Sequence, residues 1–384
     1  VVHQPGQPDL STFIGVQLLR IVATALVDLS KQSRLPDPIY SDKVQKAYNH
    51  LVVRCLREKV PPPASVPDMA RWAATKPIGE WPLDLPADVE NMDEFLVDAA
   101  TRVPTQRCFE WEVAAPDAAA ELFENEIIRE VFLRCEAADS PASYTAFRYL
   151  LIQRPVLTKV EMATLLGEEP ALGIVLETVK RCYETAPAAF RGDDGRFAVC
   201  ARCRCLLKPY GAGWRCELDR CRREDHARVD RYLSDRDTGG VLQLRAPLRM
   251  FITGPGIAEV DLEAKLRAKG LVPEMWPGCD AYDLRITLPN RQVWAIDVKD
   301  RANPALLGYG ATAFRPTPRY DKAFLVVPKY RFDDREDYQR VFNHYCPPEV
   351  KERVTLMSDN KFLSYLASTL KGLKTDAAAG DDNA

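Results

Sequence analysis

The chain has 384 residues, too many for one small module and enough, at about 100–200 residues per domain, for two to four. At 46% hydrophobic and 28% charged, it has the composition of a folded soluble protein. With 52 Lys+Arg against 55 Asp+Glu, the net charge of −3 excludes a global basic excess, so any contact with nucleic acid has to be local.

Residues 13–29 form the most apolar N-terminal stretch, but Gln17, Arg20 and Asp28 interrupt it and no basic leader precedes it. Neither a secretory signal nor a membrane span is expected, and the location expected is cytoplasmic. In that reducing compartment eleven cysteines read as metal ligands or buried free thiols rather than disulfides.

Residues 1–115 read as an all-α region: apolar-periodic helices over 10–29 and 42–57, then the breaker Pro61-Pro62-Pro63. The segment from Trp72 through Trp81 to Pro86 reads as a packed irregular connector. Residues 116–198 tighten into helices over 144–153, 158–166 and 170–184, followed by a hairpin over 190–197 around Gly192-Asp193-Asp194-Gly195. Three helices and a hairpin are the order of a winged helix. Thr158 and Glu161 have the spacing of a capping box at the start of its second helix.

Residues 199–238 carry the strongest local signal. Cys200 and Cys203 precede Cys216 and Cys221, with a hairpin expected over 206–214, a pattern that suits a four-thiolate tetrahedral zinc ribbon. Cys205 competes with Cys203, and His226 is a spare ligand. A catalytic zinc keeps an open position and usually takes His or carboxylate ligands, so this one reads as structural. Residues 191–236 also hold twelve Lys/Arg against eight Asp/Glu. They form either a solvated rim or a phosphate-tracking patch, with Tyr210 and Trp214 available to pack or stack.

In residues 239–375 a helix running from Pro255 to a glycine stop at Gly270 places Glu259, Leu262 and Leu266 on one stripe. A strand is expected over 271–276. Next comes a hairpin whose apolar faces are Leu284, Ile286 and Leu288 on one arm and Trp294, Ile296 and Val298 on the other. Matching those faces aligns 288 with 292, 286 with 294 and 284 with 296 around the loop Pro289-Asn290-Arg291. Asp283 then falls opposite Asp297, and Lys299 projects from the same face two residues on. A two-residue loop would bring Asp280 there instead, at the cost of misaligned apolar stripes. Of four acid-x-Lys triplets in the chain, Glu349-Val350-Lys351 among them, only Asp297-Val298-Lys299 ends a strand with another acid on the neighbouring strand. Two carboxylates converging beside a lysine on one face cost stability through their like-charge repulsion unless a cation occupies the site, and an oxygen-only ligand set favours Mg²⁺ or Mn²⁺. A helix over 308–313, strands over 322–327 and 354–357, and helices over 336–345 and 361–373 follow. The acidic tail 376–384 is expected to be disordered.

Over residues 240–375 these motifs resemble the PD-(D/E)xK, or restriction-endonuclease-like, nuclease superfamily. Asp283 matches the family's first acid, Asp297 and Lys299 its second acid and lysine, and Glu259 the glutamate many members carry on the preceding helix. The departures are Asp297 where Glu is commoner and the lack of a literal Pro-Asp pair, which keeps Asp280 open as an alternative to Asp283. The order of helical region, winged helix, zinc ribbon and nuclease core is also similar to the restriction-endonuclease-like proteins encoded beside prokaryotic PIWI-like proteins in defence islands. The resemblance implies an α+β multidomain protein with a C-terminal α/β restriction-endonuclease-like core. It implies a metal-dependent DNA endonuclease in which Glu259, Asp283, Asp297 and the Val298 carbonyl hold Mg²⁺ while Lys299 assists attack. Its implied partners are DNA and a PIWI-like or helicase protein of the same defence system. The alternative is a DNA-binding or scaffold protein with an idle nuclease-like domain and a structural zinc ribbon.

Overall fold

The computed structural model describes residues 10–31, 39–89, 92–113, 119–222 and 227–381. The chain divides into two compact units, each discontinuous in sequence. The first comprises Val1–Ile128, Gln153–Leu165 and Lys180–Phe251, and the second comprises Arg129–Ile152, Leu166–Val179 and Ile252–Ala384. No helix among the described residues is long and apolar enough to cross a membrane.

The first unit begins with the helices Ile14–Lys31, Asp42–Arg57, Val66–Thr75 and Gln106–Val113. Trp72 lies in the third of these and meets Trp81 edge to face at 6.0 Å, with both rings buried. The connector expected from Trp72 to Pro86 is therefore irregular only from Lys76 on, with a 3₁₀ turn at Ile78–Glu80, because residues 72–75 complete the Val66–Thr75 helix.

A three-stranded antiparallel sheet follows in the order Val156–Thr158, Val241–Leu244, Tyr183–Thr185. The capping box at its edge is complete: Thr158 N–H donates to Glu161 Oε2 at 2.6 Å, and Glu161 N–H donates to Thr158 Oγ1 at 3.0 Å. The helix expected over 170–184 is a 3₁₀ segment, Pro170–Val175, followed by an α-helix, Leu176–Cys182, and its last residues enter the sheet. The hairpin expected over 190–197 closes through the single bridge Arg191↔Phe197. Pro187 starts a short 3₁₀ turn, Ala188–Phe190, that removes one arm. The other arm, Phe197–Cys200, pairs with Val229–Leu233 instead. The sheet therefore closes through residues 241–244, beyond residue 198, with the cysteine-bearing segment inserted ahead of its last strand.

The second unit holds a five-stranded sheet in the order Val354–Ser358, Lys322–Val327, Val293–Val298, Leu284–Thr287, Glu274–Met275. The first three strands are parallel, and the last two join them antiparallel. Five of the six residues of Lys322–Val327, the middle of the three parallel strands, are buried, as expected for a parallel strand covered on both faces. Ala323, Leu325 and Val327 pack with Tyr338 and Phe342 on one face. On the other, Phe324 packs against Trp294 at 4.8 Å and Phe362 at 5.2 Å.

The hairpin has the register argued from its alternation, with Ile286 opposite Trp294, Leu284 opposite Ile296, and Leu288 N–H donating to the Gln292 carbonyl. The strand expected over 271–276 is shorter, Glu274–Met275. The helix placed at 308–313 instead occupies Pro304–Tyr309, because Asn303 caps it through Ala305 and Leu306 N–H and Pro304 fits its first turn. The last helix runs from Asp359 to Asp381 and takes in most of the tail expected to be disordered, whose remaining residues 382–384 lie outside the described ones.

Candidate active site and metal centre

Because the Leu284–Thr287 and Val293–Val298 strands pair in this register, the acids that flank them meet. Asp283 is 4% exposed, and its Oδ2 accepts the Val298 N–H at 2.6 Å. Lys299, half-buried at the end of the same strand, donates from Nζ to Asp297 Oδ1 at 2.9 Å and lies 3.6 Å from Asp283 Oδ2. One ammonium thus bridges the two carboxylates that the hairpin places opposite each other. The next residue, Asp300, turns away into a buried pair with Arg331 Nε at 2.7 Å and a hydrogen bond from the Tyr330 hydroxyl, which anchors the strand end. The rival triplet at Glu349 forms a short helix, Pro348–Lys351.

Glu259 comes from the Gly254–Arg267 helix and is 4% exposed. Trp276 Nε1 donates to its Oε2 at 2.6 Å, and Arg148 Nη2 lies 3.3 and 3.2 Å from its two oxygens. Asp280 does not join the hairpin face. Its Oδ2 accepts from the Tyr144 hydroxyl at 2.9 Å and from Arg148 Nη1 at 3.3 Å. Arg148 and Tyr144, which the sequence reading missed, sit on the Pro141–Gln153 helix. The available signal was a lone arginine amid Phe147, Leu150, Leu151 and Ile152, a pattern that marks a buried and therefore paired charge.

Burial and the repulsion of Glu259 push the Asp283 carboxyl well above the usual carboxylate range. Burial also raises Glu259, with Asp280 adding to the rise and Arg148 opposing it. Burial disfavours the Lys299 ammonium, but Asp283 and Asp297 outweigh it and hold the lysine above its ordinary value. These carboxylates face too little positive charge, and an oxygen donor set of this kind fits Mg²⁺ or Mn²⁺. Among the described residues, however, only the cysteines bring three or more potential ligand atoms within 4.8 Å of one another, so the carboxylates do not close into a cage.

That second centre lies in the first unit. Cys200, Cys203, Cys216 and Cys221 are buried with all four sulfurs within 4.8 Å of one another. A tetrahedral ion with Zn–S bonds of about 2.3 Å needs sulfurs about 3.8 Å apart, so the group fits zinc. Cys205 is not part of it, and His226 lies outside the described residues. The hairpin Leu207–Tyr210 with Gly213–Cys216 carries the third ligand. Hydrogen bonds from the other three thiols lower the Cys200 thiol, while Cys203, Cys216 and Cys221 are raised chiefly by their bonds with Cys200. Next to this group, buried Glu217 is locked by Arg249 at 2.9 Å and Lys208 at 3.1 Å.

Much of the basic excess around this centre is internally paired. Arg191, Arg196, Lys208, Arg215, Arg222 and Arg231 all have acid partners. Trp214 packs against Tyr232 with ring centroids 6.1 Å apart. The exposed Arg202 and Arg204 donate to the Arg220 and Gln153 carbonyls. They border two recesses, of about 300 Å³ with Arg228 and about 410 Å³ with Arg154 and Arg231.

Residues 18–158 match a family model described as pPIWI_RE three-gene island domain Y, and residues 256–374 match one described as REase associating with pPIWI_RE. No curated protein and no solved structure matches the chain.

Proposed function

We propose, from the premise that this chain is a restriction-endonuclease-like protein of the pPIWI_RE island, that it is a metal-dependent endonuclease hydrolysing phosphodiester bonds in DNA. The observation that carries this reading is the convergence of Asp283, Asp297 and Lys299, with Nζ 2.9 Å from one acid and 3.6 Å from the other. Asp283, Asp297, Glu259 and the Val298 carbonyl would hold Mg²⁺. When bound, the ion supplies Lewis-acid polarisation of the phosphodiester and activation of a water. Lys299 orients that water and offsets the negative charge that builds on the phosphorus oxygens in the transition state. Asp297 aims the lysine, and the Val298 N–H fixes the rotamer of Asp283.

The cysteine group would hold a structural zinc, and the winged-helix-like sheet and the arginine-bordered recesses would contact the DNA backbone. A PIWI-like protein is the partner that the island association favours. The second reading, a scaffold with an idle nuclease domain, is favoured by the hydrogen bonds that already engage both oxygens of Glu259. Incubation of the full chain with double-stranded DNA, single-stranded DNA and RNA, with and without Mg²⁺, separates the two. Mg²⁺-dependent DNA cleavage that disappears in Asp297→Ala supports the nuclease. Absence of cleavage by protein carrying its full zinc complement supports the scaffold.

A further inference from the structure

Arg148 is 7% exposed, yet it is a full cation set among acids. Its guanidinium reaches Glu259 and Asp280 at 3.2 to 3.3 Å and lies 5.2 Å from the centre of the Trp276 ring. Its Nε is buried with no hydrogen-bond partner among the described residues. The side chain is thus held by charge-assisted hydrogen bonds from its two terminal nitrogens to the two acids, while Nε goes unpaired. The backbone around Asp280 is built for this contact. Trp276, Gly278, Cys279 and Asp280 all take positive φ, a costly run for three side-chain-bearing residues, and it delivers the Asp280 carboxylate to Arg148 and Tyr144.

Glu259, Asp280, Asp283 and Asp297 meet two cations, Arg148 and Lys299, so the ionised cluster is left with two negative charges. One divalent ion neutralises that remainder. We infer that Arg148 is a positioning residue standing in for a second metal ion: it fixes Glu259 and Asp280, so that the site takes a single divalent ion. The inference rests on the nuclease reading and deepens it. Arg148 and Glu259 both belong to the second unit, although Arg148 lies in the segment matched by domain Y and Glu259 in the segment matched by the REase model. Two nearby contacts hold the Pro141–Gln153 helix in position for this role. Tyr149 donates to Glu263 at 2.7 Å, and Ile152 lies so close to Gly256 that any larger residue there would clash.

The test counts Mn²⁺ ions bound per full-length, zinc-loaded chain, by calorimetry and by the loss of the free Mn²⁺ EPR signal. The wild type is expected to bind one ion, which Asp283→Asn with Asp297→Asn abolishes. Arg148→Gln is expected to bind two, and Arg148→Lys, which keeps the charge but not the fork, to return to one. A merely structural arginine would not move that count. Two ions in the wild type, one in a folded Arg148→Gln chain, or two in Arg148→Lys would overturn the inference and leave the nuclease reading standing. If Arg148→Gln does not fold, Arg148→Met, which keeps the apolar stem but removes the charge, takes its place and is expected to bind two ions, one ion again overturning the inference. No ion in the wild type would overturn both.

Discussion

The Asp283 carboxylate accepts the backbone N–H of Val298 at 2.6 Å, across a separation of 15 residues. The strand that carries the second acid and the lysine therefore also orients the first acid through its main chain. A shift of this pairing by one residue would turn Asp297 and Lys299 to the opposite face and break that bond.

The first prediction concerns the chemistry. Asp297→Ala and Lys299→Ala are each expected to lower Mg²⁺-dependent DNA cleavage by at least about a hundredfold, the usual effect of removing one preorganised transition-state contact. Both side chains are partly solvent-exposed, so the thermal midpoint should stay within a few degrees of the wild type. Cleavage retained by a pure double variant would refute the assignment.

The metal centre makes a sharper distinction. Elemental analysis should find one zinc per chain, with the metal lost in Cys203→Ser and Cys216→Ser but kept in Cys205→Ser, because only the first two belong to the four-sulfur group. Zinc retained in Cys203→Ser, or lost in Cys205→Ser, would show that the ligand set is different.

Nucleic-acid contact can be read from salt dependence. Arg202→Ala and Arg204→Ala should each weaken DNA binding about equally across sequences and reduce the slope of log affinity against log salt by about 1. Both guanidiniums are exposed and hydrogen-bonded to carbonyl oxygens. An unchanged slope would make this face an ordinary solvated rim.

Asp98 gives a pH-dependent prediction within the first unit. Burial works against its charge, but the Thr101 N–H and hydroxyl, with Arg222 and Arg215, more than offset this and hold it below its ordinary value. A carboxyl depressed on folding contributes stability that is complete above its unfolded value of about 3.9 and disappears as pH falls through the folded value. Asp98→Asn should therefore cost about 2 kcal/mol near neutral pH, a discounted figure for a partly buried pair, and converge on the wild type in acid. Urea unfolding between pH 7 and strong acid measures the gap. A constant gap would rule out the ion pairs as its cause.

Where a feature depends on neighbours close in sequence, the chain itself determined it. Period-two alternation from Leu284 to Val298 was enough to set the hairpin register, because a one-residue slip would expose every apolar side chain of either arm. The Thr158 and Glu161 cap and the pairing of the two cysteine clusters were legible for the same reason: each follows from short spacings. Only the tertiary structure decided that Cys203 rather than Cys205 joins the sulfur group, that residues 241–244 close the sheet, and that Arg148 reaches Glu259 from 111 residues upstream. These outcomes depend on which distant groups share a buried space. There an unpaired charge or unmatched strand edge is costly, and no local pattern records where its partner will come from.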